Sequence, residues 1–150
     1  MKKVIGLAVI LLALNTVSFA QKKKQEKEST EHITVPPVVK SALAKKYADA
    51  KNIMWEKEDG NYEANWGGKS GEDNSVQFTP AGRFVEMVKS MPVNTLPAPV
   101  AAYVKAHYKG AKITEAGKVT NAQGKIFYEA EVKGKDIIFD EKGNFIKAEK

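Results

Sequence analysis

Two stretches of the chain match each other 61 residues apart, and this repetition limits the possible folds more than any other feature. VPPVVKSALAKKYADAK, starting at Val35, aligns with LPAPVAAYVKAHYKGAK, starting at Leu96, so that Pro36 meets Pro97, Tyr47 meets Tyr108 and Ala50-Lys51 meets Ala111-Lys112. Tyr62-Glu63-Ala64 then matches Tyr128-Glu129-Ala130 at an offset of 66, and the offset returns to 61 for Val76 with Ile137, Phe78 with Phe139, Gly82 with Gly143 and Phe84 with Phe145. Loops absorb insertions that strands do not, so compensating offsets mark fixed elements joined by adjustable turns. The whole chain has 150 residues. A copy of under about 60 residues is marginal alone, whereas two in tandem can share a core.

Each copy opens with a helix. Thr34 and Thr95 are the expected N-caps, with Pro36 and Pro97 in the first turn, where a missing N–H costs nothing. Val100, Tyr103, Val104 and Tyr108 form the apolar stripe of the second helix, and Gly110 its left-handed stop. Val38 or Val39, with Ala42, Leu43 and Tyr47, repeats the stripe in the first. The period then switches to two, the mark of half-buried strands: Tyr62, Ala64 and Trp66 alternate with Glu63 and Asn65, and Tyr128, Ala130 and Val132 with Glu129 and Glu131. Turn residues such as Asp59-Gly60, Gly67-Gly68, Gly124, Lys133-Gly134 and Lys142-Gly143 punctuate the strands. The expected fold class is α+β, a tandem repeat of one helix packed on a four-stranded antiparallel sheet, with both helices on one side and polar positions on the other.

Residues 1–20 read as a cleavable export leader: Lys2 and Lys3, an apolar run from Val4 to Leu14, and Ser18-Phe19-Ala20 before the cut. The run is too short to span a bilayer. Residues 21–34 form a polar tether that buries too little to order itself. Repeat 1 occupies 35–91, a linker 92–95 and repeat 2 96–150. The chain contains no cysteine, which excludes a lipid-attachment thiol, disulfides, thiolate zinc sites and a cysteine nucleophile. Its formal charge of +6 includes the leader's two lysines, and Arg83 is its one arginine. Nucleic-acid sites cluster arginine and lysine among stacking aromatics, so the lysines read as solubility and no nucleic-acid partner is expected.

The pattern VPxxVKxAxxxKY, a W-E-K-E strand, Y-E-A, F-x-x-x-G, and a second degenerate copy ending F-D-x-x-G-N-F-I-K resembles the PepSY-like, beta-lactamase-inhibitor-like family of short exported proteins. The resemblance covers residues 35–150. It implies tandem α/β repeats, a periplasmic setting and a non-catalytic role in recognising a protein or peptide. It transfers no contact residue.

No motif carries catalysis. Gly67-Gly68-Lys69-Ser70 lacks the first glycine of a phosphate loop, since Glu63 stands there. His32 and His107 lie far apart, no HExxH or DxDxDG loop occurs, and no serine has a recognisable partner; no catalytic, metal or cofactor residue is assigned. Trp66 shares parity with Tyr62 and Ala64 and reads as core, while the sequence leaves Trp55 unplaced. The candidate binding residues are Glu56, Glu58, Glu63, Glu129 and Glu131, which point away from the helices if Tyr62 and Tyr128 point toward them. Lys57 and Lys133 are close enough in sequence to neutralise them, so a wet, solvated face is the plain expectation. The function expected is a soluble periplasmic module, not an enzyme, that takes an envelope protein or peptide on this face and has no stable membrane insertion. Inhibition of an envelope hydrolase is its narrower form. The rivals are small-ligand or metal binding and a carboxylate-dependent hydrolase.

Overall fold

The computed structural model describes residues 33–148; the expected leader and nearly all of the expected tether lie outside the described residues. Helix α1 (Pro37–Lys46) is followed by strands β1 (Met54–Glu58), β2 (Asn61–Trp66), β3 (Asn74–Phe78) and β4 (Phe84–Ser90). A 3-10 turn at Val93–Thr95 leads to α2 (Ala98–His107), then β5 (Ile113–Asn121), β6 (Ile126–Val132), β7 (Lys135–Asp140) and β8 (Phe145–Ala148). All strands join one antiparallel sheet in chain order, β1 to β8. It is an α+β fold, and β4 pairs directly with β5, from Glu86 opposite Asn121 to Ser90 opposite Gly117.

The helices start later than the threonine caps require. Pro36 and Pro97 are themselves the N-caps, in extended conformation, and no side chain caps either helix. The Pro36 carbonyl accepts from the Val39 amide at 3.0 Å and that of Pro97 from Val100 at 2.9 Å. Thr34 and Thr95 therefore stand two residues outside the cap, beyond reach of the first-turn amides. The Thr95 hydroxyl instead donates to the Pro92 carbonyl at 2.6 Å. Both helices end at a tyrosine, Tyr47 or Tyr108, whose amide donates to the carbonyl of Leu43 or Val104 at 2.8 Å. Lysines in each last turn favour the negative end of the helix dipole.

Both helices bury their apolar stripe against the same side of the sheet. Val39 and Leu43 pack on Ala64, Val76, Phe78 and Met87, with Ile33, Trp55, Tyr62 and Trp66 around them. Val100 and Val104 pack on Ala130, Val132, Ile137 and Phe139, with Tyr103, Tyr108 and Tyr128 around them. Each fully buried valine, leucine, isoleucine, phenylalanine or methionine among them contributes about 1.5–3 kcal/mol. Register settles Trp55: it lies opposite Ala64, on the helix side. Burial raises the hydroxyl pKa of Tyr47, which lies 5.4 Å from the Trp66 ring, and burial followed by Tyr108 raises that of Tyr103.

Candidate binding face

The opposite side of the sheet carries the residues of the other parity. Glu56 lies directly across from Glu63, Glu63 from Gln77, and Gln77 from Glu86. In the second half Gly117 lies across from Glu129, Glu129 from Ile138, Ile138 from Lys147, and Glu131 from Asp136. All five candidate glutamates face this side, but they form two groups. Four strand spacings separate β2 from β6, at least about 19 Å.

The face is not the wet surface expected. Glu63, Ser75, Gln77, Glu129 and Asp136 are only 2–7% exposed, although both helices pack on the other side. Register shifts interrupt the ladder at Gln77/Phe78, Ile113/Ala116 and Ile138/Phe139, and such bulges bend a strand and increase its twist. Lys57 does not neutralise the glutamates either. It stands opposite Tyr62 with Nζ 5.7 Å from that ring, on the helix side, because neighbours along a strand point to opposite faces. Lys133 occupies the β6–β7 turn with φ at 55°.

Buried carboxylates need donors. The Ser75 hydroxyl donates to Glu63, and Gln77 Nε2 donates to Glu58 Oε2 at 2.7 Å. In the second half Thr114 Oγ1 donates to Glu131 Oε1 at 2.6 Å. Over β4–β8 the face sinks into a trough of about 190 Å³ lined by Glu86, Val119, Asn121, Phe127, Glu129, Ile138, Ile146 and Lys147. Its floor is apolar and its walls carry two carboxylates and an ammonium. The trough was missed in the alternation reading, yet it has a signal: Phe127-Tyr128 and Ile137-Ile138-Phe139 place apolar residues on both parities, which a strand covered on one side only does not need. Among the described residues no group of three or more metal-ligating side chains is placed to hold an ion, and no long apolar helix could cross a membrane.

Two segments, residues 8–69 and 67–147, match the family model described as "Putative beta-lactamase-inhibitor-like, PepSY-like". The chain belongs to this family. Its description is of an inhibitor-like kind rather than of an enzyme. The PepSY-like fold recurs in solved structures: a "putative periplasmic" protein from Bacteroides eggerthii has TM-score 0.65 and 22% identity, over 77% of this chain and 88% of that one. A DUF2874 family protein from Bacteroides uniformis has TM-score 0.63 and 23% identity, over 75% and 87%. A BLIP-like protein from Bacteroides fragilis has TM-score 0.60 and 21% identity, over 80% and 89%. At these identities the likeness establishes the fold. No curated protein matches the chain.

Proposed function

We propose that this PepSY-like protein is a soluble periplasmic binding module, built as a tandem repeat of one helix on four strands, that takes a protein or peptide on the sheet side away from its helices. The observation that carries the reading is sidedness: an eight-stranded sheet with both helices on one side and a carboxylate-bearing side with an apolar trough on the other. The basic, apolar N-terminal run supports export, and the Bacteroides eggerthii protein of the same fold is described as "putative periplasmic". Inhibition of an envelope hydrolase is the narrower form that the family description suggests. The trough itself, at about 190 Å³, is smaller than the pockets of about 300–1,000 Å³ that drug-sized ligands occupy.

The test charges the face without unfolding it. Glu63 and Glu129 are buried and stay as they are; Glu56→Lys and Glu131→Lys act at more accessible positions. Affinity capture from envelope extract, read by mass spectrometry, is expected to yield a polypeptide bound by the unmodified protein and lost with the double variant at unchanged melting temperature. Equal capture by both proteins overturns the assignment of the face. The same preparations, assayed against β-lactamases and envelope proteases, test the inhibitory form.

A further inference from the structure

The two halves of the binding face have the same register and different fillings. In the first half Glu58 stands across from Asn61, and Gln77 across from Glu63. Val119 across from Phe127, and Ile138 across from Glu129, hold the corresponding places in the second. The matches follow the offsets of the sequence repeat: 61 from Glu58 to Val119 and from Gln77 to Ile138, and 66 from Asn61 to Phe127. Thus three polar residues, two of them joined by the Gln77–Glu58 hydrogen bond, are replaced by three apolar ones that form the floor of the trough. A hydrogen-bonded polar set closes on itself. An apolar floor lacks any such internal saturation, and its partly exposed members Phe127 and Ile138 gain about 25 cal/mol for each Å² removed from water.

The surroundings specify charge. Glu86 and Glu129 wall the trough, with Lys147 the cation beside them. Farther out, Glu56 opposes Glu63 and Glu131 opposes Asp136, which gathers carboxylates at both ends of this side. The strand lysines Lys57, Lys89 and Lys118 lie on the helix parity, so a chain that is basic overall presents an acidic side. Opposed carboxylates at the two ends of the face lie six strand spacings apart, about 30 Å, a distance that about nine residues of extended chain cover. A small amine does not span it.

Resting on the reading of this face as the binding side, we propose that its ligand is an extended cationic polypeptide segment that inserts an apolar side chain, aliphatic or aromatic, into the trough over β5–β8 while its basic residues meet the flanking carboxylates. The trough supplies the side-chain preference. The carboxylates supply steering, which weakens as salt shortens the Debye length.

The probe is a labelled peptide of alternating lysine and leucine, of about that nine-residue length, followed by fluorescence anisotropy with the full chain. It is expected to bind at least about tenfold more tightly than a lysine–serine or a glutamate–leucine peptide, the former difference reporting one buried side chain. Spermidine and octylamine serve as small amines and should not displace it at matched concentration. The triple variant Val119→Glu, Phe127→Asn, Ile138→Gln imports the first half's residues and should erase the leucine advantage. Ile146→Asn, at an exposed wall position, should reduce it without touching the core. Retention of the leucine advantage in a folded Ile146→Asn and triple variant, tighter binding of the glutamate peptide, displacement by octylamine alone or no peptide binding would each overturn the inference. If lysine–leucine and lysine–serine bind equally and Glu56→Lys with Glu131→Lys abolishes both, the trough assignment falls while the sheet-face reading stands. If neither set of variants changes binding, both fall.

Discussion

In the first half of the sheet Gln77 lies between Glu63 and Glu86 and donates a hydrogen bond to Glu58; in the second, Ile138 lies between Glu129 and Lys147 and lines an apolar trough. On the helix side the same strands agree: Ala64, Val76 and Phe78 correspond to Ala130, Ile137 and Phe139, all buried. The difference separates two constraints. The helix side must fill the space under a helix to interior density, which tolerates few changes of volume. The other side has no helix to match, so its residues can change from a closed polar set to an open apolar one while the strand pairing persists. Side-chain chemistry is free to change there.

The largest test of this comparison is in the helix-side cores. Phe78→Ala and Phe139→Ala should each cost about 3–5 kcal/mol, because both rings are fully buried and leave cavities. Urea denaturation followed by circular dichroism should show similar losses in one cooperative transition, since β4 and β5 pair over five residue pairs and join the halves. A biphasic curve, with each variant unfolding its own half, would break the comparison at its base.

Next comes a buried hydrogen bond of the first half, given by Ser75, whose counterpart in the second half is Asp136. Ser75→Ala removes the donor to buried Glu63 and should cost about 1.5–3 kcal/mol, as for a hydrogen bond to a charged group. No loss in urea denaturation would mean that Ser75 is not the donor on which the buried Glu63 carboxylate depends.

The turns that meet the helices come third. Gly82 and Gly143 hold matching turns at φ 76° and 84°. An added Cβ would come within 3.0 Å of the Val38 carbonyl oxygen at Gly82, and of Pro97 Cβ at Gly143. Gly82→Ala and Gly143→Ala should each cost about 1–3 kcal/mol, the backbone conformation and the crowding acting together. Equal losses by thermal denaturation support like docking of α1 and α2; a loss at one glycine alone would show that one helix is seated more loosely.

Much of this was legible in the sequence, and the exceptions have causes. The strands and the helix-side core follow from alternation at Tyr62-Ala64-Trp66 and Tyr128-Ala130-Val132, because burial on one side imposes a period of two. The offsets 61 and 66 located the matching turns. Trp55 was not placeable, since MWEKE shows no alternation and only pairing with Ala64 fixes its side. The threonine caps failed because Pro36 and Pro97 occupy the cap itself. Burial of Glu63 and Glu129 depends on neighbours brought from other strands, which the alternation pattern does not encode. The trough needs Val119, Phe127 and Ile138 from three strands, and no local window contains them.

The smallest expected effect distinguishes matching hairpins by pH. In the β3–β4 turn Thr79 Oγ1 accepts from the Arg83 amide at 3.2 Å. At the corresponding place in the β7–β8 turn Asp140 accepts from the Lys142 and Asn144 amides and from the Asn144 side chain, at 2.8–2.9 Å. The hydrogen bonds from Asn144 lead in holding the Asp140 carboxyl below its usual value, with Lys142 assisting. A folded pKa below the unfolded one stabilises above the unfolded value, and the gain is lost as pH falls through the folded one, so the effect appears below about pH 4. Threonine has no such titration. Amide chemical shifts of Lys142 and Asn144 should therefore move together with the Asp140 carboxyl as acid is added, in a step absent from Asp140→Asn, while the Arg83 amide stays put. Movement of Arg83 in the same window would show that acid loosens the sheet as a whole, and the two turns would then differ in chemistry without differing in response.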